Sequence, residues 1–443
     1  MSALSLLVTA ALAMPAAGDT VPFVVMNHGR VAGEMLVIRG ADAIVVRYHH
    51  ADRNRTVRSE TIYRLNPASE VIGAETWELP FAGAPEGLPA DDGFEIARDS
   101  VFWGAAGARG GARLQADAYY DLRSSTLFDQ ARLAQFLLRQ PERRARLLPS
   151  GTARAEIVAD TVLPTPRGMR RLRLVAIHRE LWGNPDAVWL DETGAPFASA
   201  VSWFITVRRG GEGLLPALRV METRWRDARG AALAQLVAPT AAPALAIVNG
   251  DLFDSERGTV RRRTTVVVRG ERIAAVGPSE STAIPEGATV IDATGKIVMP
   301  GMWDMHTHLQ LTSQTGTAAF QLASGITTMR DLGSDVDIAV SYRDRAAAGI
   351  LAGPRAILSG FLEGPGAWAG PSEAIVRTEE EARRWIARYD SLGYRQVKVY
   401  NLVHPDLIPA IADEAHRRGM RLSGHIPRGL TVPAAIALGF DEI

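Results

Sequence analysis

After Pro300 the chain keeps repeating one pattern, a helical run followed by a short apolar, strand-like run. "TAAFQLASG" precedes "ITTMRDLG", "VSYRDRAAAGILAG" precedes "RAILSG", "TEEEARRWIARYDSLGY" precedes "QVKVY", and "HPDLIPAIADEAHRRGM" precedes "RLSGHI". Alternation of this kind predicts a parallel α/β fold. In its eight-stranded closed form, such a fold carries its functional residues at the C-terminal ends of the strands.

The chain before Pro300 follows other rules. Residues 19–240 read as a β-rich unit. "EMLVIRG" and "AIVVRYHH" are two strands joined at a tight turn through Gly40 and Asp42. "RTVRSETIYRL" alternates polar and apolar residues, and "AVWLDETGAPFASAV" reads as strand, turn, strand. One helical patch, "TLFDQARLAQFLLRQ", interrupts them. An antiparallel sheet or sandwich is expected. The small-residue and proline stretch "VAPTAAPALA", residues 237–246, reads as a linker. Short strands then fill residues 244–300, a second compact β unit that runs into the helix–strand alternation of 301–443.

Composition narrows the function. The 443 residues carry 49 basic and 49 acidic side chains, so no net field attracts nucleic acid or an anionic membrane. There is no cysteine, which excludes disulfides, zinc ribbons and thiol nucleophiles. Any transition-metal site must use histidine with oxygen ligands, a set that suits zinc, manganese or iron. The opening "MSALSLLVTAALAMPAAGDT" has the apolar run and small-residue cleavage region of an export signal over residues 1–18, though it lacks the usual Lys or Arg. An exported protein, periplasmic or secreted, is expected. No other stretch approaches the roughly 20 apolar residues of a membrane span.

The residues that could do chemistry fall at the ends of the strand-like runs. In "WDMHTHL", read as a strand, His306 and His308 lie on one face and can grip one metal ion, with Thr307 pointing away. Such a pair can also sit on a wet strand face. Lys398 in "QVKVY" shares a face with Gln396 and Tyr400. A buried lysine is costly unless it is paired or neutral, and a neutral amine can add carbon dioxide to become a carbamate. Lys398 could equally meet a carboxylate at the strand end. His425 closes "RLSGHIP". His28, His49, His50 and His178 are scattered, and the adjacent His49 and His50 would point to opposite faces of a strand.

Together "GKIVMPGMWDMHTHL", "GITTMRDLG", "GYRQVKVYN" and "AHRRGMRLSGHIP" resemble the amidohydrolase superfamily of metal-dependent hydrolases, in its imidazolonepropionase-like and prolidase-like branches. The resemblance covers roughly residues 244–443; residues 19–240 match none of its core motifs. It implies a (β/α)8 barrel flanked by a small β-sandwich, part of which is the 244–300 unit. It implies that His306 and His308 bind the more buried of two divalent metals, usually zinc, that carboxylated Lys398 bridges them, and that His425 binds the second. The activity implied is hydrolysis of an amide, dipeptide or cyclic amide by a metal-activated water. Tyr400 is a substrate-contact candidate.

The sequence also departs from the family pattern. The family continues a strand like the closing "LGFDEI" into a further metal-binding histidine, and places a ligating, proton-shuttling aspartate later still. Both are expected beyond Ile443, so no catalytic residue is assigned within the chain. Asp441, at the start of its strand, cannot replace the aspartate. The alternative expectation is a catalytically incomplete fragment or a non-enzymatic exported binding protein. The oligomeric state is left open, a homo-oligomer included.

Overall fold

A computed structural model describes residues 19–52, 55–78, 90–105, 108–122, 126–165, 168–180, 184–238, 242–309 and 317–443. The expected export signal, residues 1–18, lies outside these, as do residues 239–241 of the expected linker. Among the described residues no helix is long and apolar enough to cross a membrane. The architecture is mixed α/β, made of three sheets.

The first sheet has fifteen strands and consists of two meanders joined at one seam. One meander runs outward by hairpins from Asp19–Asn27 to Ala108–Arg113; the other starts at Ala118–Tyr120 and returns to Ile205–Arg208. The seam is antiparallel, with Phe23 facing Arg208 and Met26 facing Ile205. Strand residues alternate between faces, and here each face has its own core. Val188 and Leu190 join a cluster with Leu127, Leu133 and Leu137 of the Leu127–Arg139 helix. Ala187 and Trp189 join a cluster with Leu215 and Leu218 of the 23-residue helix Leu215–Val237. A single sheet covered by helices thus replaces the expected choice between sheet and sandwich.

Local chemistry starts the first of these helices. The Asp129 backbone N–H donates to the Thr126 hydroxyl at 3.4 Å, and the Thr126 N–H donates to the Asp129 carboxylate at 3.2 Å. This capping box satisfies two otherwise orphaned donors. The Tyr63 hydroxyl also donates to Asp129, tying the helix start to the sheet.

The second sheet has five strands around Leu245–Asp254, which pairs antiparallel with Thr259–Arg269 and parallel with Thr289–Asp292 and Ile297–Val298.

The third sheet is parallel throughout. Its strands lie in the order Met302–Thr307, Ile326–Asp331, Arg355–Glu363, Gln396–Val399, Arg421–Gly424, with the short Ala374–Ile375 strand paired to the third. Helices Val336–Ala347, Glu379–Ser391 and Ile408–Arg417 pack their apolar stripes on it. All four residues of Gln396–Val399 are buried, as expected of a parallel strand covered on both faces. Met302–Thr307 is an edge strand that leaves Trp303 and Met305 exposed. Its register slips between Asp304 and Thr307, and the strand ends there. His308 therefore lies one residue past the strand instead of within it, as the simple alternation of "WDMHTHL" would have it.

Candidate functional site

Five polar residues share one end of the parallel sheet. Asp331 and Glu363 are the last residues of their strands, Lys398 is the last but one of its strand, and His308 and His425 directly follow theirs. His306 lies on the edge strand beside His308, with ring centroids 5.3 Å apart and planes at 75°.

His308 is oriented from behind. Its Nδ1 donates to the Gly333 carbonyl at 2.8 Å. A carbonyl can only accept, so Nδ1 carries a proton, and in the neutral ring Nε2 is then the nitrogen available to a metal. Gly333 has φ +120°, and a Cβ there would lie 2.8 Å from the Phe361 ring. Only glycine can aim this carbonyl. His306 is solvent-exposed on its outer side. Desolvation of its inner side, and then the charge of Lys398, hold its imidazole below the usual range and so neutral near pH 7.

Lys398 is 3% exposed. Its Nζ donates to the Leu332 carbonyl at 2.9 Å and lies 5.3 and 5.1 Å from the ring centroids of Phe361 and Tyr400. These contacts accommodate a cation where a free ammonium would be costly. The buried Tyr400 ring packs against His425 with centroids 4.0 Å apart and planes tilted by 45°. His425 Nδ1 lies 3.1 Å from Asn401 Oδ1. The turn into His425 needs Gly424, whose φ is +132° and whose Cβ would strike the Val399 carbonyl oxygen at 2.1 Å.

Two carboxylates at this end were not singled out by sequence reasoning. Asp331 is fully buried and accepts from the Leu309 N–H at 2.9 Å and the Ser334 hydroxyl at 2.7 Å. Burial pushes its carboxyl up to about 6 against these hydrogen bonds. Its Oδ2 is buried with no hydrogen-bond partner among the described residues. Glu363 accepts backbone N–H bonds from Gly364, Gly370 and Leu402, each at 2.8 Å, and so ties two loops to the strand end. Asp441 lies elsewhere, held by the Leu422 N–H at 2.7 Å and by His416 at 2.9 Å.

The donor chemistry fits a divalent ion in part. His306 presents a neutral imidazole, and His308 has the backing hydrogen bond typical of a ligand. Among the described residues, however, no three His, Asp or Glu side chains are already grouped to hold a metal. Further oxygen donors would have to come from elsewhere, and Lys398 can supply them only after modification.

No family model matches the chain. Among curated proteins, adenine deaminase 2 of Bradyrhizobium sp. is 27% identical over 225 residues, which are 47% of this chain and 37% of that protein. The enamidase of Eubacterium barkeri is 25% identical over 223 residues, 44% of this chain and 52% of that one. The chain thus spans between a third and about half the length of these relatives. A solved structure, a putative prolidase from Bifidobacterium longum, is 31% identical, covering 46% of this chain and 54% of that one, with a TM-score of 0.40. Paired histidines and a buried lysine lie at the ends of parallel strands, where the sequence resemblance places them. These relatives support the resemblance to the amidohydrolase superfamily.

Proposed function

We propose that the protein is a metal-dependent hydrolase of carbon–nitrogen bonds, with His306, His308, Lys398 and His425 holding divalent metal, most naturally two zinc ions. The observation that carries this reading is the His308–Gly333 hydrogen bond of 2.8 Å, which turns Nε2 away from that carbonyl, beside the imidazole of His306. The relatives named above, a deaminase and an enamidase, are consistent with this bond class. On this reading the parallel sheet belongs to a (β/α)8 barrel, and the polar strand ends face its catalytic mouth.

The chain's own residues have distinct tasks. His306 and His308 bind as neutral nitrogen donors. The Lys398 amine adds carbon dioxide, forming an N–C bond and releasing one proton, and the resulting carbamate contributes the oxygen donors that the unmodified side chains lack. His425 is held by Asn401 and packed against the tilted Tyr400 ring, which together restrict its orientation. Tyr400 forms the floor under a small amide or dipeptide substrate. When bound, the metal supplies a water of lowered pKa and polarises the scissile carbonyl.

The test is metal content together with turnover. His306→Ala and His308→Ala proteins are expected to lose bound zinc and hydrolysis of an amide and dipeptide panel. Unchanged zinc in both would defeat the assignment.

A further inference from the structure

Two side chains of the antiparallel sheet reach the strand ends just described. Strand Asp19–Asn27 turns back at His28 and Gly29, and strand Ile205–Arg208 is entered through Trp203 and Phe204. Because Met26 faces Ile205 across the seam, His28 and Trp203 leave the same end of one strand pair. Trp203 is 8% exposed, and its ring stands edge-on to His308 with centroids 4.8 Å apart. His28 Nδ1 lies 3.2 Å from Asp335 Oδ1, and Arg219 of the Leu215–Val237 helix places Nη2 3.5 Å from Asp335 Oδ2.

Asp335 ends the loop that begins at Asp331, and every part of that loop is engaged. On its inner side the Leu332 carbonyl accepts from Lys398 at 2.9 Å and the Gly333 carbonyl accepts from His308 at 2.8 Å. The Leu332 N–H donates to Thr307 at 2.9 Å. On its outer side Asp335 faces His28, at contact distance but short of hydrogen-bond geometry, and Arg219. A single short loop therefore has the candidate ligands on one face and the antiparallel sheet on the other. The hairpin tip is itself unusual. His28 has φ +46°, a left-handed conformation uncommon outside glycine but one that His, Asn and Asp adopt more readily than most, and the tip is where the imidazole meets Asp335.

We propose that the antiparallel sheet is a working part of the metal site. His28 and Arg219 are positioning residues that clamp Asp335 and so fix the Gly333 carbonyl, and Trp203 walls the His308 ring. This rests on the metal reading above. Residues that orient a ligand from behind commonly matter tenfold or more to metal affinity. Here the orienting carbonyl is itself anchored by another sheet.

The experiment measures zinc affinity by competition with a chromophoric chelator, and amide hydrogen exchange over residues 332–336, in the purified protein. His28→Gly removes the imidazole but suits the left-handed turn, so the hairpin stays intact. His28→Asn also tolerates that turn, and its amide nitrogen can occupy the place of Nδ1. His28→Gly is expected to weaken zinc binding about tenfold and to speed exchange in the loop, with His28→Asn restoring both. Unchanged affinity and exchange in His28→Gly would overturn the clamp, as would an Asn variant no better than the Gly variant. Failure of the metal reading shows differently: His308→Ala would then bind zinc as tightly as the unaltered protein, and the inference would fall with it.

Discussion

In the antiparallel sheet, buried polar groups meet each other. Thr61 bonds Thr76 at 2.9 Å, Tyr120 bonds Asp92 at 2.6 Å, and Tyr63 bonds Asp129. In the parallel sheet they gather at one end, and several turn to the backbone: Lys398 to Leu332, Asp331 to Leu309, Glu363 to three N–H groups. The first arrangement closes polar groups upon one another and rigidifies a scaffold. The second anchors ionisable groups at the strand ends; buried atoms with no hydrogen-bond partner among the described residues occur in both regions, Asn27 Oδ1 in the first and Asp331 Oδ2 in the second. What differs between the regions is the kind of partner: other side chains in the first, backbone groups near the strand ends in the second.

Three experiments can break or sharpen this contrast. The largest effect belongs to the scaffold. Leu137 is fully buried in the core that the Leu127–Arg139 helix shares with the sheet. Leu137→Ala should cost about 4 kcal/mol in denaturant unfolding. A loss below about 1 kcal/mol would mean that this region is no better packed than the site.

The next effect is electrostatic. Asp331 has its carboxyl pushed up to about 6 from an ordinary 3.8, so the folded state binds this proton more tightly than the unfolded chain. Its contribution to stability is complete below the ordinary value and is lost as pH rises through about 6. Metal-free protein should therefore lose roughly 3 kcal/mol from this group between these limits. Asp331→Asn should remove that step. An identical pH profile in the variant would show that Asp331 is satisfied after all.

The smallest effect has the opposite sign. Lys398→Met keeps the side-chain length and removes a buried charge, so it should raise stability by about 1 kcal/mol while abolishing metal binding. Destabilisation with zinc retained would make Lys398 a scaffold residue and erase the contrast at its sharpest point.

What the sequence makes legible is local. The Leu127–Arg139 helix declares itself through apolar spacing and the Thr126 cap, and each parallel strand through a short apolar run after an amphipathic helix. The Leu215–Val237 helix does not. It buries only Leu215, Leu218, Glu222, Gly230 and Ala234, and charged residues such as Arg219 and Arg226 interrupt its apolar stripe. Alternation in "AVWLD" marks a strand but cannot say that both faces will be covered by helices, which is why one sheet could pass for a sandwich. At the site, His306, His308, Lys398 and His425 stand out because each closes a strand-like run. Asp331 does not, since an aspartate after an arginine reads as surface. His28 and Trp203 stand out least: their partners, Asp335 and His308, are distant in sequence, and only the seam brings the two together.

The seam also sets an order of events. The other neighbouring pairs are hairpins, apart from the parallel pair Ala118–Tyr120 and Arg144–Leu148 joined through the Leu127–Arg139 helix, and lie far closer along the chain; the Asp19–Asn27 strand must wait for Ile205–Arg208. Closing so long a loop carries an entropic delay that short hairpins avoid. A molecule caught before that closure would hold nearly all its β structure and yet present neither His28 nor Trp203 in place. Maturation of the metal centre would then follow the slowest contact of a sheet that contains none of its candidate ligands.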